Sequence, residues 1–209
     1  MIQQNTQEWK DFRRNKIGAS DAAGILGISP FKTPYQVWEE KIFGLDDLEN
    51  WAMRHGHLME PLAREEFENM TGLAMMPKVA IHKEREWQMA SLDGVSFEED
   101  VFVEIKCPKS KEVHQMACDG KLPDHYMAQM QHQMVVLGID MGFYFSFNGT
   151  EGALVEVKRD KSFGEMLTEK ESVFYYDHLM KKEAPPISDK DYIHREDLEW
   201  NDVDRKSVV

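Results

Sequence analysis

The sequence predicts an α/β chain, in the α+β sense of a central mixed sheet flanked by helices, and three observations point there. Helix-capping signals and 3.6-residue apolar stripes fill the first 72 residues and return near residues 124 and 162. Short apolar runs bounded by turn residues occupy the stretch between them. Their order is helices, three strands, helix, two strands, helix, which suits helices packed against a mostly central sheet.

Each element has a local reason. Asn5 can cap a short helix that holds Trp9 and Phe12, with Glu8 at its third position. Ser20 can cap a second helix over residues 22–26, which Gly27 ends. Thr33-Pro34-Tyr35-Gln36 reads as a capping box with proline at the first helical position, and Gly44 closes that helix. A long helix starts at residue 51 or 55 and runs to Thr71, with Gly72 just beyond it. Strands are expected at 79–82, 87–92 and 101–107, with Asp93 and Gly94 at a bend and a turn around Glu98-Glu99-Asp100. A helix over residues 124–137 is closed by Gly138, and strands follow at 142–147 and 153–158. Ser162-Phe-Gly-Glu165 boxes a last long helix, stopped by Pro185-Pro186. The expected organisation is one domain over residues 1–209. It has a helical part at 1–72, a sheet core at 73–160, a C-terminal helix at 161–184 and an acidic tail at 185–209.

Composition narrows the functional classes. A chain of 209 residues buries a sizeable core without staples, and its two cysteines, Cys107 and Cys118, are too few for a disulfide framework. No charged-then-apolar leader opens the chain and no run of about 18 apolar residues occurs, so a soluble cytoplasmic protein without a membrane span is expected. A net charge of −13 argues against a broad nucleic-acid footprint. The charge is uneven, however: residues 10–20 hold Lys10, Arg13, Arg14 and Lys16 against Asp11 alone. A path for DNA would therefore be local and lined by this segment.

The chemistry concentrates in Ser91-Leu92-Asp93-Gly94 and Glu104-Ile105-Lys106. In the return strand Val101, Val103 and Ile105 point one way, and Phe102, Glu104 and Lys106 the other. Glu104 and Lys106 thus share a face, about 6.6 Å apart along the strand. Hard divalent cations want oxygen ligands, and Mg²⁺ is usually held by one or two carboxylates with waters and substrate phosphate, a need that Asp93 and Glu104 fit. A lysine beside them can orient water and counter charge on a phosphate. Glu-x-Lys also occurs at Glu39-Lys41 and Glu156-Lys158, so the tripeptide counts only through its place at the end of an apolar strand after an aspartate.

Three further constellations carry two readings each. Glu60 shares a helical stripe with Ala63 and Phe67, as a metal-site carboxylate or as a boundary partner of Arg64. His55 and His57 beside it lack a convincing third zinc ligand. Tyr126, Met130, Met134 and Leu137 make a core stripe with Gln129 and Gln133 beside it, amides that suit a phosphate, the lysine or plain solvent. Arg13 and Ser20 flank a helix start, as a phosphate pocket or as a solvated arginine and an ordinary cap.

Taken together and in this order, Ile17-Gly-Ala-Ser20-Asp with Gly27-Ile-Ser-Pro-Phe31, Gly56-His-Leu-Met-Glu60-Pro, Ser91-Leu-Asp93-Gly, Glu104-Ile-Lys106 and Tyr126-x-x-Gln129-x-Gln131 resemble the lambda exonuclease and YqaJ-type viral recombinase family. That family is a branch of the PD-(D/E)xK nucleases, and Leu92 stands where the superfamily pattern has proline. The resemblance implies a restriction-endonuclease-like core in which Asp93, Glu104 and the Ile105 carbonyl bind Mg²⁺, with Mn²⁺ able to substitute, and Glu60 lies near a second metal. It makes Lys106 the residue that activates water, and Gln129 part of the same machinery. It places Arg13, Ser20, Ser91 and Gln129 where the 5′-phosphate binds. The implied activity is 5′-to-3′ digestion of one strand of double-stranded DNA from its end, leaving 3′ overhangs for a single-strand annealing protein. A homotrimeric ring is implied too, encoded by a phage or prophage and working in the bacterial cytoplasm. The alternatives are a structure-specific or restriction-like endonuclease and a non-catalytic DNA-end binding scaffold.

Overall fold

In the computed structural model, the described residues are 6–44 and 51–191. Asn5 lies outside them. The first helix, α1 (Gln7–Arg14), is instead capped by Thr6, whose hydroxyl accepts from the Trp9 amide at 3.2 Å. A two-residue strand that the sequence does not announce, β1 (Ile17–Gly18), leads into a 3₁₀ turn over Ala19–Asp21 and the short helix α2 (Ala22–Ile25). Ser20 sits inside that turn and does not cap it. Asp21 is the N-cap residue of α2 without a side-chain capping bond to it, and its carboxylate instead closes the 3₁₀ turn by accepting from the Gly18 amide at 2.8 Å.

The capping box at Thr33 and Gln36 starts α3 (Pro34–Phe43), and Gly44 ends it at φ 62°. α4 (Trp51–Thr71) stops before Gly72, whose φ of 71° is the left-handed conformation expected of a residue past a helix end. Next come β2 (Met76–Ile81), β3 (Gln88–Val95) and β4 (Phe102–Lys106). Asp93 and Gly94 are not at a bend: β3 runs through both. Glycine at 94 answers to close packing, because a Cβ there would meet Met75 Cβ at 2.7 Å and Val103 Cγ1 at 2.9 Å. The turn comes later, with Glu99 at φ 57°.

A short helix absent from the sequence expectation, α5 (Lys111–Cys118), is capped by Ser110. α6 (Asp124–Leu137) follows, ended by Gly138, and then β5 (Met141–Phe147) and β6 (Gly152–Lys158). The cap of α7 (Lys161–Val173) is Asp160 in place of Ser162, and the chain continues as a π-helical segment, Phe174–Met180. Of the acidic tail, residues 192–209 lie outside the described residues; Asp191 accepts a hydrogen bond from the Thr33 hydroxyl.

The sheet order is β1-β3-β4-β5-β6, with β2 antiparallel to β3. β1–β3 and β4–β5 are parallel pairs, and β3–β4 and β5–β6 antiparallel. One sheet face packs Leu92, Phe102 and Tyr144 against Met130 and Met134 of α6. The other packs Val103, Ile105 and Phe145 against Ala63 and Phe67 of α4. β2 occupies one edge of β3. On the opposite edge β1 pairs at Gln88 and Met89 and β4 at Gly94 and Val95, so the stretch Ala90 to Asp93 lies between the two on an open edge.

Candidate active site

That open edge is where the site forms. β3 and β4 pair at Gly94–Val103 and Val95–Phe102, and beyond those pairs Asp93 replaces a ladder bond: its Oδ2 accepts from the Ile105 amide at 2.8 Å. Alternation in β4 puts Glu104 and Lys106 on the Phe102 face, as the sequence predicts. Lys106 Nζ donates to Glu104 Oε1 at 2.5 Å. Gln129 and Gln133, one turn apart on α6, reach the same carboxylate: Gln129 Nε2 donates to Oε1 at 2.6 Å and Gln133 Nε2 to Oε2 at 2.5 Å. Both oxygens of a buried glutamate are therefore held by neutral donors as well as by an ammonium.

Burial, and then the neighbouring Glu104 charge, push the Asp93 carboxyl well above the usual carboxylate range; Glu60 adds to this, and Lys106 and the Ile105 amide only partly offset it. Burial opposes the Lys106 ammonium, but Glu104 and Asp93 outweigh it and raise the lysine pKa above its ordinary value. Two carboxylates thus share a desolvated space with one lysine, a donor set that fits a hard divalent cation. Among the described residues no cluster of three or more His, Cys, Asp or Glu side chains stands at metal-holding distance. Glu60 explains part of that: its carboxylate takes Arg64 Nη2 at 2.6 Å, the pairing its spacing allows, while still standing close enough to act on Asp93.

A second cluster borders this one. Arg13 Nη2 donates to Ser20 Oγ at 3.1 Å, and the Arg13 guanidinium lies 4.8 Å from the Trp9 ring centroid. Trp9 Nε1 donates to Ser91 Oγ at 3.1 Å, which links the cluster to the strand bearing Asp93. Arg13, Ser20 and Ser91 are therefore brought together through Trp9, and the Gln129 amide is on Glu104. Below, Asp21 pairs with Lys41 at 2.7 Å, both buried, and lies 3.6 Å from Arg13. Burial works against the Asp21 charge, yet Lys41 and Arg13 lower its pKa to about 2.

Sequence reasoning left Trp9, Asp21 and Lys41 without roles, and gave Gln133 an amide suited to a phosphate, the lysine or solvent without naming Glu104 as its partner. Gln133 had a signal, since it lies four residues after Gln129 on one helical face. Lys41 had none, because Glu39-x-Lys41 looks like background.

The central mixed sheet flanked by helices is a fold shared with solved exonuclease structures. Residues 8–140 match the model of the YqaJ-like viral recombinase domain, and the chain belongs to that family. It is 30% identical over 187 residues to the uncharacterised protein YqaJ of Bacillus subtilis (strain 168), covering 86% of this chain and 58% of that one. It is 25% identical over 173 residues to protein D345L of African swine fever virus (strain Badajoz 1971 Vero-adapted), covering 68% and 49% respectively. The chain thus spans about half the length of these relatives. Among solved structures, the alkaline exonuclease LHK-Exo of Laribacter hongkongensis superposes with a TM-score of 0.73 at 23% identity, over 93% of this chain and 100% of that one. A phage related exonuclease from Haemophilus somnus 129PT gives a TM-score of 0.61 at 18% identity, over 80% and 96%.

No helix among the described residues is long and apolar enough to cross a membrane.

Proposed function

We propose that the chain is a Mg²⁺-dependent 5′-to-3′ exonuclease that degrades one strand of double-stranded DNA from its end. One observation carries this reading: Asp93, Glu104 and Lys106 converge where β3 and β4 part, with the Arg13–Ser20 and Trp9–Ser91 contacts alongside. Family membership and the fold shared with two exonucleases support it, as does a neighbouring structure of LHK-Exo in complex with dAMP.

In this reading Asp93, Glu104 and the Ile105 carbonyl would hold the cation, and Glu60 would release Arg64 to approach a second one. When bound, the cation supplies Lewis-acid polarisation of the phosphate and neutralises its charge. Lys106 orients the attacking water and counters charge on the phosphoryl oxygens. Gln129 and Gln133 fix the rotamer of Glu104. Arg13, Ser20, Ser91 and Gln129 grip the terminal 5′-phosphate through charge-assisted, hydroxyl and amide hydrogen bonds, which sets polarity. The resulting 3′ overhang is the substrate of a single-strand annealing protein in a phage-type recombination system of a bacterial cytoplasm. A homotrimeric ring would let so acidic a chain, at −13, retain DNA.

Time-resolved digestion of duplexes labelled at either the 5′ or the 3′ end tests this, with closed circular plasmid in parallel. The 5′ label should be released as mononucleotide at once, the 3′ label late, and the circle should survive. Cleavage of the circle would replace the reading with an endonuclease, and binding without cleavage would replace it with an end-binding scaffold.

A further inference from the structure

We propose that Phe31, His125 and Tyr126 form a stacking platform for the unpaired nucleobase beside the phosphodiester that is cut at Lys106. The proposal rests on the nuclease reading for its substrate and on separate observations for its place. Phe31 is 70% exposed, yet it is not on a loose loop: the Ser29 hydroxyl accepts from the Phe31 amide at 3.1 Å and from the Lys32 amide at 3.2 Å. A large apolar ring held out to solvent by a built turn has a binding surface to offer.

The ring is continuous with the active site. Phe31 meets the His125 ring edge-on, with centroids 5.4 Å apart at 89°, and His125 lies 4.1 Å from the Tyr126 ring. Lys106 Nζ stands 5.1 Å from the Tyr126 centroid. An aromatic path therefore runs from the surface to the lysine that touches the metal-site glutamate. His125 Nε2 is buried with no hydrogen-bond partner among the described residues, an unsatisfied polar atom that a turn of the ring on base docking would bring to a base edge or a phosphate oxygen.

Nucleobases suit such a surface because every base has a π face, and stacking on aromatic side chains is tolerant of sequence. The acidic balance of the chain adds a reason. With a net charge of −13, counterion release at the backbone supplies little affinity, and stacking is an attraction that salt does not screen.

The probe is a 5′-phosphorylated duplex carrying 2-aminopurine at the frayed 5′ end, bound by the full chain in Ca²⁺ and, separately, digested in Mg²⁺. Wild type should quench the 2-aminopurine on binding. Phe31→Ala should lose that quench and raise KM about tenfold with kcat little changed, a size within base–aromatic stacking, and Phe31→Trp should retain both properties. Removing the terminal base to leave an abasic site should weaken wild type to the Phe31→Ala level and leave Phe31→Ala unaffected. An unchanged quench or KM in Phe31→Ala, with wild type still cutting DNA, overturns the platform and leaves the nuclease reading intact. Phe31-dependent quenching by a wild type that cuts no DNA keeps the platform and removes the nuclease reading. A wild type that neither binds nor cuts removes both.

Discussion

Lys41→Met probes how the acidic and basic groups beneath the Arg13 cluster hold it in place. The substitution removes the ammonium 2.7 Å from Asp21 and leaves a buried carboxylate whose remaining partners are the Gly18 amide at 2.8 Å and Arg13 at 3.6 Å. Removing one partner of a buried ion pair typically costs about 3–5 kcal/mol. Burial lowers the Lys41 pKa even with Asp21 beside it, so relief of that desolvation offsets part of the loss. The low end, about 3 kcal/mol, is the expected size. In a chain this long that lowers Tm by about 6–12 °C. Asp21→Asn added to Lys41→Met should recover more than half of the loss, because it deletes the orphaned charge. The sign with pH follows from the Asp21 pKa, which is held at about 2 in the fold against an ordinary 3.8. A depressed carboxylate stabilises above its unfolded pKa and loses that contribution as pH falls through its folded value. The gap between wild type and Lys41→Met should therefore narrow below about pH 4. Urea unfolding followed by circular dichroism across pH measures all of this. A loss under about 1 kcal/mol, or no recovery in the double variant, would refute the role given to the pair.

Gln133→Leu deletes the donor to Glu104 Oε2, a hydrogen bond to a charged group worth about 1.5–3 kcal/mol, so digestion at limiting Mg²⁺ should fall at least about tenfold. The Mg²⁺ midpoint should rise with it, and a metal titration of rate reads both. Arg13→Ala should shrink the preference of wild type for 5′-phosphorylated over 5′-hydroxyl ends, measured as a ratio of initial rates on the two duplexes. The buried His132–Glu171 pair gives a pH signature. Burial opposes charge on His132, yet Glu171, 2.7 Å away, outweighs it and raises the histidine pKa above 6.5. A raised pKa stabilises fully below the unfolded value and fades as pH climbs through the folded one. The advantage of wild type over Glu171→Gln in urea midpoint should accordingly be greatest below about pH 6.5 and shrink above it.

The elements legible in the sequence were those whose signals are local. Thr33-Pro34-x-Gln36 specifies a helix start by itself, and the period-two pattern of β4 places Glu104 and Lys106 on one face without any tertiary knowledge. What escaped depends on partners distant in sequence. β1 is two residues long and exists because Ile17 and Gly18 find Gln88 and Met89 some 70 residues on. α5 has little apolar face of its own, burying only His114 and Ala117. Gly94 looked like a bend because glycine usually marks one, whereas here Met75 and Val103 leave no room for a Cβ. At the site, Asp93, Glu104 and Lys106 could be named from spacing and strand ends. The grip of two glutamines on Glu104 could not, since helix periodicity tells which residues share a face and not what that face meets. Gln129 illustrates the limit: spacing puts it beside the core stripe, and only the fold shows that its amide meets Glu104.

The claim on which the rest depends is that Asp93 and Glu104 hold the cation that cuts DNA. It is tested most directly by the rate at which Asp93→Asn, folded by circular dichroism, digests a 5′-phosphorylated linear duplex in saturating Mg²⁺. The account predicts less than about a tenth of the wild-type rate, because losing a metal ligand costs more than the roughly 1.4 kcal/mol that tenfold represents. Digestion by Asp93→Asn at or near the wild-type rate would contradict it.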